Sequence, residues 1–209
     1  MLNRYFKEAG IKRLVIMIFG NIFLGMGIGI FKVSGLGNDP FSGMVMALAD
    51  LSGIHYANFQ ILLNIGIFAL QFFLGREFIG IGTFINAIFL GYIATFFYNS
   101  WLLLFGSPGA GVQRVLIVCL GVVICSFGIS LYQTPNVGVA PYDSLSLIMT
   151  KRFQKIPYFW NRMLTDGLCT LICFLTGGIV GLGTLVSAFG FGPFIHFFNK
   201  HFTEKLLKK

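Results

Sequence analysis

The stretch SGLGNDPFSG, from Ser34 to Gly43, interrupts the first long apolar run of the chain. Pro40 has no backbone N–H to donate, and it disfavours helical geometry at the residue before it. A helix that enters the stretch therefore ends in it, and proline is a favoured first-turn residue for the helix that follows. The stretch predicts a helix break, with Asp39 at the N-cap of a short second helix.

The composition excludes an ordinary soluble domain. Of 209 residues, 56% are hydrophobic and only 11% are charged, whereas soluble domains carry roughly 25% charged residues. The mean hydropathy is +0.83. Repeated apolar runs, each near the ~20 residues that span a bilayer core, predict an all-α integral membrane protein rather than a β-barrel of short alternating strands.

The apolar runs predict six transmembrane helices and two short half-helices. The transmembrane helices are expected at about 12–32, 57–75, 80–104, 113–132, 158–177 and 181–199. The half-helices, at about 41–51 and 142–150, each cover roughly half of the bilayer at ~1.5 Å per residue. They either re-enter the membrane or lie along its surface.

A second stretch, NVGVAPYDS, matches the first at a constant offset of 101 residues, which carries Pro40 to Pro141. The same offset pairs Gly37 with Gly138, and GIGTFINA (80–87) with GLGTLVSA (181–188). The chain is therefore interpreted as a single membrane domain, 1–209, built from two internal repeats at about 12–104 and 113–200.

Three spans in each repeat would invert the second copy, which is the plan of many secondary transporters. If the half-helices crossed the membrane, each repeat would have four spans and the copies would be parallel. The loops favour inversion, because the loop 134–157 carries three basic residues and the matching loop 33–56 carries none. Small residues four apart (Gly25 and Gly29, Ser126 and Ser130) predict a close seam between the repeats.

The net charge of +8 fits the excess of Lys and Arg in cytoplasmic segments of membrane proteins, so no nucleic-acid partner is expected. Basic residues concentrate at the two ends of the chain: Arg4, Lys7, Lys12, Arg13, Lys200, Lys205, Lys208 and Lys209. Six spans then place both the N- and C-termini in the cytoplasm.

The two helix breaks form the candidate substrate-binding site. The N-terminus of a half-helix offers free N–H groups and partial positive charge, which favour an anionic group. The predicted substrate-binding residues are Asn38, Asp39, Pro40, Ser42, Val139, Pro141, Tyr142 and Asp143. The alternative is a pair of surface loops, in which Asp39 does no more than cap its own helix.

Charged and polar residues inside a span are functional candidates by default. Arg162 and Asp166 lie four residues apart on one helix face, and Asn64 lies inside another span. These three are predicted to serve coupling or gating, with a structural ion pair as the alternative for Arg162 and Asp166. The four cysteines have no partner at metal-ligand spacing, and no nucleophile–base pair is found, so no metal, cofactor or enzymatic activity is expected.

The motifs GLGNDPF and VGVAPYD, together with GIGT and GLGT, resemble the YczE/YyaS/YitT group of bacterial membrane proteins. The resemblance covers nearly the whole chain and implies a bacterial plasma-membrane location, but no substrate. We expect a small secondary transporter or channel for a small polar or anionic solute. The alternative is a non-transporting subunit, a substrate-binding component or regulator of a larger complex; homo-oligomers and partner subunits both fit.

Overall fold

A computed structural model describes residues 10–109 and 111–208. In this part of the chain the secondary structure is helical: α1 (Ile11–Ser34), α2 (Pro40–Ser52), α3 (Tyr56–Leu74), α4 (Ile81–Phe105), α5 (Gly111–Gln133), α6 (Pro141–Arg152), α7 (Tyr158–Leu175), α8 (Leu182–Phe198) and α9 (Glu204–Lys208). A 3-10 turn (Arg76–Phe78) precedes α4, and a π-helical turn (Asn199–Thr203) joins α8 to α9. Arg4, Lys7 and Lys209, which the predicted topology uses, lie outside the described residues.

Four helices are long and apolar enough to cross a membrane by length and composition: α1, α3, α4 and α5. The helix α7 has 18 residues but carries Arg162 and Asp166, and α8 has 17 residues. Large apolar side chains lie exposed along the outer faces, among them Phe73 (77%) and Leu103 (87%). A protein in water rarely leaves so many exposed, so these faces suit contact with lipid.

The two short helices begin where the prolines predict. Pro40 is the first residue of α2 and Pro141 is the first residue of α6. The Asp39 side chain caps α2 by accepting a hydrogen bond from the Ser42 backbone N–H at 3.1 Å. The equivalent Ala140 offers no such cap.

The central contact of the fold joins α1 to α5, which pack antiparallel. Gly20 lies against the Tyr132 backbone, whereas Phe31, eleven residues further along α1, lies against Gly121. At the middle of the contact, Leu24 accepts a weak hydrogen bond at 3.8 Å from Cys125, which lies 101 residues later, the offset between the two matching stretches. A side chain at Gly20 would collide with the α5 backbone, so glycine lets the two helices approach closely.

The predicted seam of Gly25 and Gly29 between the repeats is wrong. A Cβ placed on Gly25 would lie 2.6 Å from Ile93, and one on Gly29 would lie 2.9 Å from the Tyr98 nitrogen, so both glycines face α4 of their own half. The reason is helical periodicity. The face of α1 that meets α5 carries Gly20 and residues three to four positions apart from it, and Gly25 lies off that face.

The two helix breaks pack against the other half of the chain through matching hydrogen bonds. The Gly82 N–H donates to the Val137 oxygen at 2.9 Å, and the Gly183 N–H donates to the Leu36 oxygen at 2.8 Å. The residues of the two bonds correspond at the offset of 101, since Gly82 corresponds to Gly183 and Leu36 to Val137. Each break is therefore held by a backbone hydrogen bond to a distant segment of the chain.

The helix pair α3 and α4 packs more tightly than the pair α7 and α8. A Cβ placed on Gly91 of α4 would lie 2.8 Å from the Ala57 Cα of α3, whereas one on the equivalent Gly192 of α8 would meet nothing within 4 Å. The helices α3 and α4 are thus in close contact, whereas α7 and α8 are separated by a cavity of about 470 Å³.

This difference predicts opposite outcomes for two matched substitutions. We expect Gly91→Ala to lower the free energy of unfolding by about 1–3 kcal/mol, because the added methyl overpacks the α3–α4 contact. At Gly192 the added methyl group meets open space, and alanine forms helix better than glycine. Gly192→Ala should therefore leave the free energy of unfolding unchanged or raise it by up to about 1 kcal/mol. Thermal unfolding followed by size-exclusion chromatography measures both; equal losses would contradict the asymmetry.

Candidate functional site

A cavity of about 40 Å³, the central cavity, lies where the N-termini of α2 and α6 approach each other. The predicted site residues that line it are Asp39, Ser42, Tyr142, Asp143, Asn64 and Arg162. Apolar side chains such as Leu24 and Phe191 complete its wall. The Phe41 and Tyr142 rings, which lie 101 residues apart in the sequence, stack beside it with centroids 4.3 Å apart. Residues from both helix breaks thus meet at one buried place.

The other predicted binding residues serve the backbone instead. Asn38 donates to the Ile28 oxygen at 3.2 Å, and it lines a separate cavity of about 360 Å³ with Lys32 and Asp50. Val139 contributes only backbone hydrogen bonds, including one from its N–H to the Phe78 oxygen at 2.9 Å. Pro40 and Pro141 are buried first residues of their helices.

A charge cluster borders the central cavity and ties α6 to α7. Arg162 donates through Nε to Asp166 Oδ2 at 3.2 Å and through Nη1 to Asp143 Oδ1. Tyr142 donates through its hydroxyl to Asp166 Oδ1 at 2.5 Å, and Gln133 of α5 donates to Asp143 Oδ2 at 3.2 Å. The Arg162–Asp166 pair matches the sequence prediction, but the links to Asp143 and Tyr142 were not predicted.

The cluster is largely shielded from solvent, with side-chain exposures of 22% for Arg162, 11% for Asp143 and 6% for Asp166. Because desolvating charges is costly, such a cluster holds only when its members compensate one another. Each carboxylate receives the guanidinium and one neutral donor, so this condition is met. A group that competes for Arg162 would therefore leave Asp143 or Asp166 uncompensated and destabilise the cluster.

The positive ends of both half-helices already face carboxylates of the protein itself. Asp39 caps α2, and Asp143 lies in the first turn of α6. A carboxylate at a helix N-terminus satisfies the free N–H groups and the helix dipole. These two termini therefore attract an anionic ligand less than free helix N-termini would.

Asn86 is a lining residue that the sequence reasoning did not select. It lies in α4, is 3% exposed, and donates to the Asn21 oxygen at 2.8 Å. Asn21 in turn donates to the Met17 oxygen at 3.0 Å. A polar residue inside an apolar span was the available signal, but its position on the cavity wall depends on how α1 and α4 pack.

The cavity between α7 and α8 adjoins the central cavity, and Ile129, Arg162 and Phe191 line both. Polar side chains on its wall include Gln133, Tyr158, Asp166, Ser187, His196 and Asn199. Its volume of about 470 Å³ falls in the range of small-molecule sites. The arrangement is a small polar chamber beside a larger, more open one, with Arg162 between them.

The family comparison covers the region that holds these features. A model described as a family of unknown function, DUF6198, matches residues 11–200. This chain belongs to the DUF6198 family. The match includes both helix breaks, the charge cluster and the cavity between α7 and α8.

Relatives of this DUF6198 member occur in two bacteria. An uncharacterized protein of Haemophilus influenzae is 28% identical over 187 residues, covering 90% of this chain and 83% of that protein. Two Bacillus subtilis proteins follow: YyaS, 23% identical over 89% of this chain and 94% of its own length, and YczE, 24% identical over 91% and 87%. No solved structure matches the chain.

These relatives confirm the resemblance to YyaS and YczE that the motifs indicated. YczE is described as an uncharacterized membrane protein. Together with the four long apolar helices, this makes the DUF6198 chain described here a membrane protein.

Proposed function

We propose that this DUF6198 protein is a small secondary transporter or channel that moves a small polar solute across the bacterial plasma membrane. One observation carries the proposal. Two helix breaks, equivalent in the two repeats, meet at a buried polar cavity that adjoins a larger cavity bordered by a charge cluster. Paired breaks around a central polar site are typical of secondary transporters.

The proposed architecture has six transmembrane helices and two re-entrant half-helices, arranged as two inverted repeats. The antiparallel packing of α1 against its equivalent α5 supports inversion, because helices related by a parallel duplication run in the same direction. The reciprocal bonds Gly82–Val137 and Gly183–Leu36 support a pseudo-twofold relation between the halves.

The proposed topology treats α7 and α8 as spans. The charges that keep α7 below the hydropathy of the other spans, Arg162 and Asp166, are paired inside the protein, where membrane proteins tolerate them. Both termini would be cytoplasmic, since the basic ends of the chain follow the positive-inside rule.

The asymmetry between the halves supports alternating access as the mechanism. The helices α7 and α8 are separated and α3 and α4 are in contact, so one side of the site is open and the other is closed. In the opposite state of the proposed transport cycle, α7 and α8 would come together and α3 and α4 would separate, because the two proposed repeats can adopt each other's conformation.

The solute is proposed to bind in the cavity between α7 and α8, next to Arg162. Gln133, Ser187 and Asn199 provide hydrogen-bonding groups, and Phe191 and Ile195 provide apolar contact. This lining fits a small polar molecule. An anionic solute would have to draw Arg162 away from Asp143 or Asp166.

Uptake into proteoliposomes tests the proposal, with a panel of amino acids, sugars, nucleosides and carboxylates. We expect at least one solute to accumulate above protein-free vesicles. The same solute should slow maleimide labelling of a Met163→Cys variant, since Met163 lines the cavity between α7 and α8. The variant is made in a Cys119→Ser background, because Cys119 is the exposed native cysteine in the described part of the chain.

Leu103→Cys is the matched control, because Leu103 is 87% exposed on α4 and does not line either cavity. Its labelling should not respond to the solute. Failure of every solute to accumulate, or activity only when an ATPase copurifies, would contradict an autonomous transporter. The second outcome would instead favour the substrate-binding subunit of a larger complex.

A further inference from the structure

The central cavity is too small for the solute proposed above. Its volume of about 40 Å³ holds a few water-sized particles at most, because one water needs roughly 10–15 Å³ by this measure. It is nevertheless lined by several polar side chains. The cavity can therefore hold only a group of a few atoms, which differs from the solute proposed for the larger cavity.

Asp39 presents an uncompensated carboxylate oxygen. Its Oδ1 accepts the capping hydrogen bond from Ser42 at 3.1 Å. Its Oδ2 is buried and has no hydrogen-bond partner among the described residues. A buried carboxylate oxygen without a partner is costly, and a bound positive ion removes that cost.

Asn64 presents a second acceptor. Its side chain is buried, with 3% exposure, and its amide nitrogen donates to the Ala87 backbone oxygen at 3.3 Å. A backbone oxygen can only accept, so the nitrogen must be the atom that faces Ala87. The side-chain oxygen of Asn64 is then left at a cavity wall, and no described residue donates to it.

Asn86 presents a third acceptor by the same logic. Asn21 must donate to the Met17 oxygen, so its own side-chain oxygen is the acceptor for Asn86. Asn86 therefore uses its nitrogen toward Asn21, and its oxygen remains for the cavity that it lines. The hydrogen bond from Asn21 to Met17 and the one from Asn86 to Asn21 together determine that the side-chain oxygen of Asn86 is the free atom.

Three carboxylates, those of Asp39, Asp143 and Asp166, lie at or beside the cavity, whereas Arg162 is the one positive side chain among its lining residues. This excess of negative charge outweighs the partial positive charge of the α2 and α6 N-termini and favours a cation. Arg162 already serves both Asp143 and Asp166, which leaves Asp39 without a positive partner among the described residues. No group of three or more His, Cys, Asp or Glu able to hold a metal ion occurs in those residues. One free carboxylate oxygen with neutral oxygens suits a monovalent ion better than a divalent ion, which requires six to eight oxygens or near-octahedral geometry.

We propose that the central cavity binds a sodium-sized monovalent cation through Asp39 Oδ2 and the side-chain oxygens of Asn64 and Asn86, with the Ser42 hydroxyl beside them. The ion lies beside the N-terminal turns of α2 and α6 and joins α2, α3 and α4 at the site. Its role as the coupling ion rests on the proposed transport function, whereas its binding does not.

The test uses purified full-length protein in nanodiscs and measures ²²Na⁺ binding and thermal unfolding. Sodium chloride is compared with N-methyl-D-glucamine chloride at equal ionic strength. We expect saturable ²²Na⁺ binding and a rise in Tm of about 3 °C or more in sodium. The Asp39→Asn variant should lose both the saturable ²²Na⁺ binding and the rise in Tm, because asparagine keeps the N-cap but removes the charge.

Asp50→Asn is the matched control, since Asp50 is an exposed carboxylate near the other end of α2. It should keep the sodium response of the native protein. Asn64→Ala should weaken ²²Na⁺ binding at least about tenfold in the monodisperse fraction. Native protein that shows no saturable binding, or Asp39→Asn protein that binds sodium as the native protein does, would overturn the cation site even if solute uptake persists. Sodium binding without any effect on solute uptake would support the site and overturn its coupling role.

Discussion

Arg162→Met should lower the free energy of unfolding by about 3 kcal/mol and abolish solute uptake. The substitution leaves Asp143 and Asp166 as neighbouring buried carboxylates without the guanidinium that both contact. Breaking a buried ion pair by removing one partner costs about 3–5 kcal/mol, because the remaining charge is uncompensated. Thermal unfolding in detergent measures the loss, and proteoliposome uptake measures the function.

Two further variants show whether the loss arises from the cluster. Arg152→Met removes an exposed arginine at the end of α6, and it should change stability by less than about 0.5 kcal/mol. Adding Asp143→Asn to Arg162→Met should recover part of the lost stability, because one of the two stranded charges is removed. If the double variant is no more stable than Arg162→Met alone, the charge explanation is wrong.

Gly138→Ala should lower the free energy of unfolding by at least about 3 kcal/mol, because both the backbone conformation and the space at this position exclude a side chain. Gly138 has φ +117°, a region that side-chain-bearing residues rarely adopt. A Cβ at this position would lie 2.7–2.8 Å from the Cα, C and N atoms of Gly80. These are backbone atoms at the start of α4, so they cannot move aside as a flexible side chain could.

Gly167→Ala provides the control for Gly138→Ala, because nothing lies within 4 Å of a Cβ at Gly167 in α7. Its stability should stay within about 1 kcal/mol of the native protein. Expression level and Tm measured together test both variants. A Gly138→Ala protein that folds with native Tm would mean that the helix break and α4 do not meet as described.

Much of the helix pattern was predictable because its causes are local. Proline ends a helix and starts the next by its own covalent geometry, so Pro40 and Pro141 are the first residues of α2 and α6 as predicted. The Asp39 cap follows from the same few residues. The Arg162–Asp166 pair was predictable because residues four apart on a helix share a face.

The site was predictable only in part, since it depends on contacts between distant segments. Asp143 was predicted to bind the solute and Arg162 to serve coupling or gating, whereas the structure joins the two in one ion pair. It expected an anion at the half-helix termini, but Asp39 and Asp143 already face those termini. No periodicity in the chain indicates which of two carboxylates a given arginine will reach.

The sequence by itself determined an all-helical membrane protein with two equivalent helix breaks 101 residues apart, since hydropathy, glycine and proline act within a few residues. Only the tertiary structure decided what the breaks enclose. Three features depend on residues that are more than twenty positions apart in the chain. They are the face of α1 that meets α5, the hydrogen bond from Asn86 to Asn21, and the separation of α7 from α8. Such contacts reflect the packing of whole helices, and for that reason the sequence indicated most polar residues of the central cavity but not that they meet around one small space.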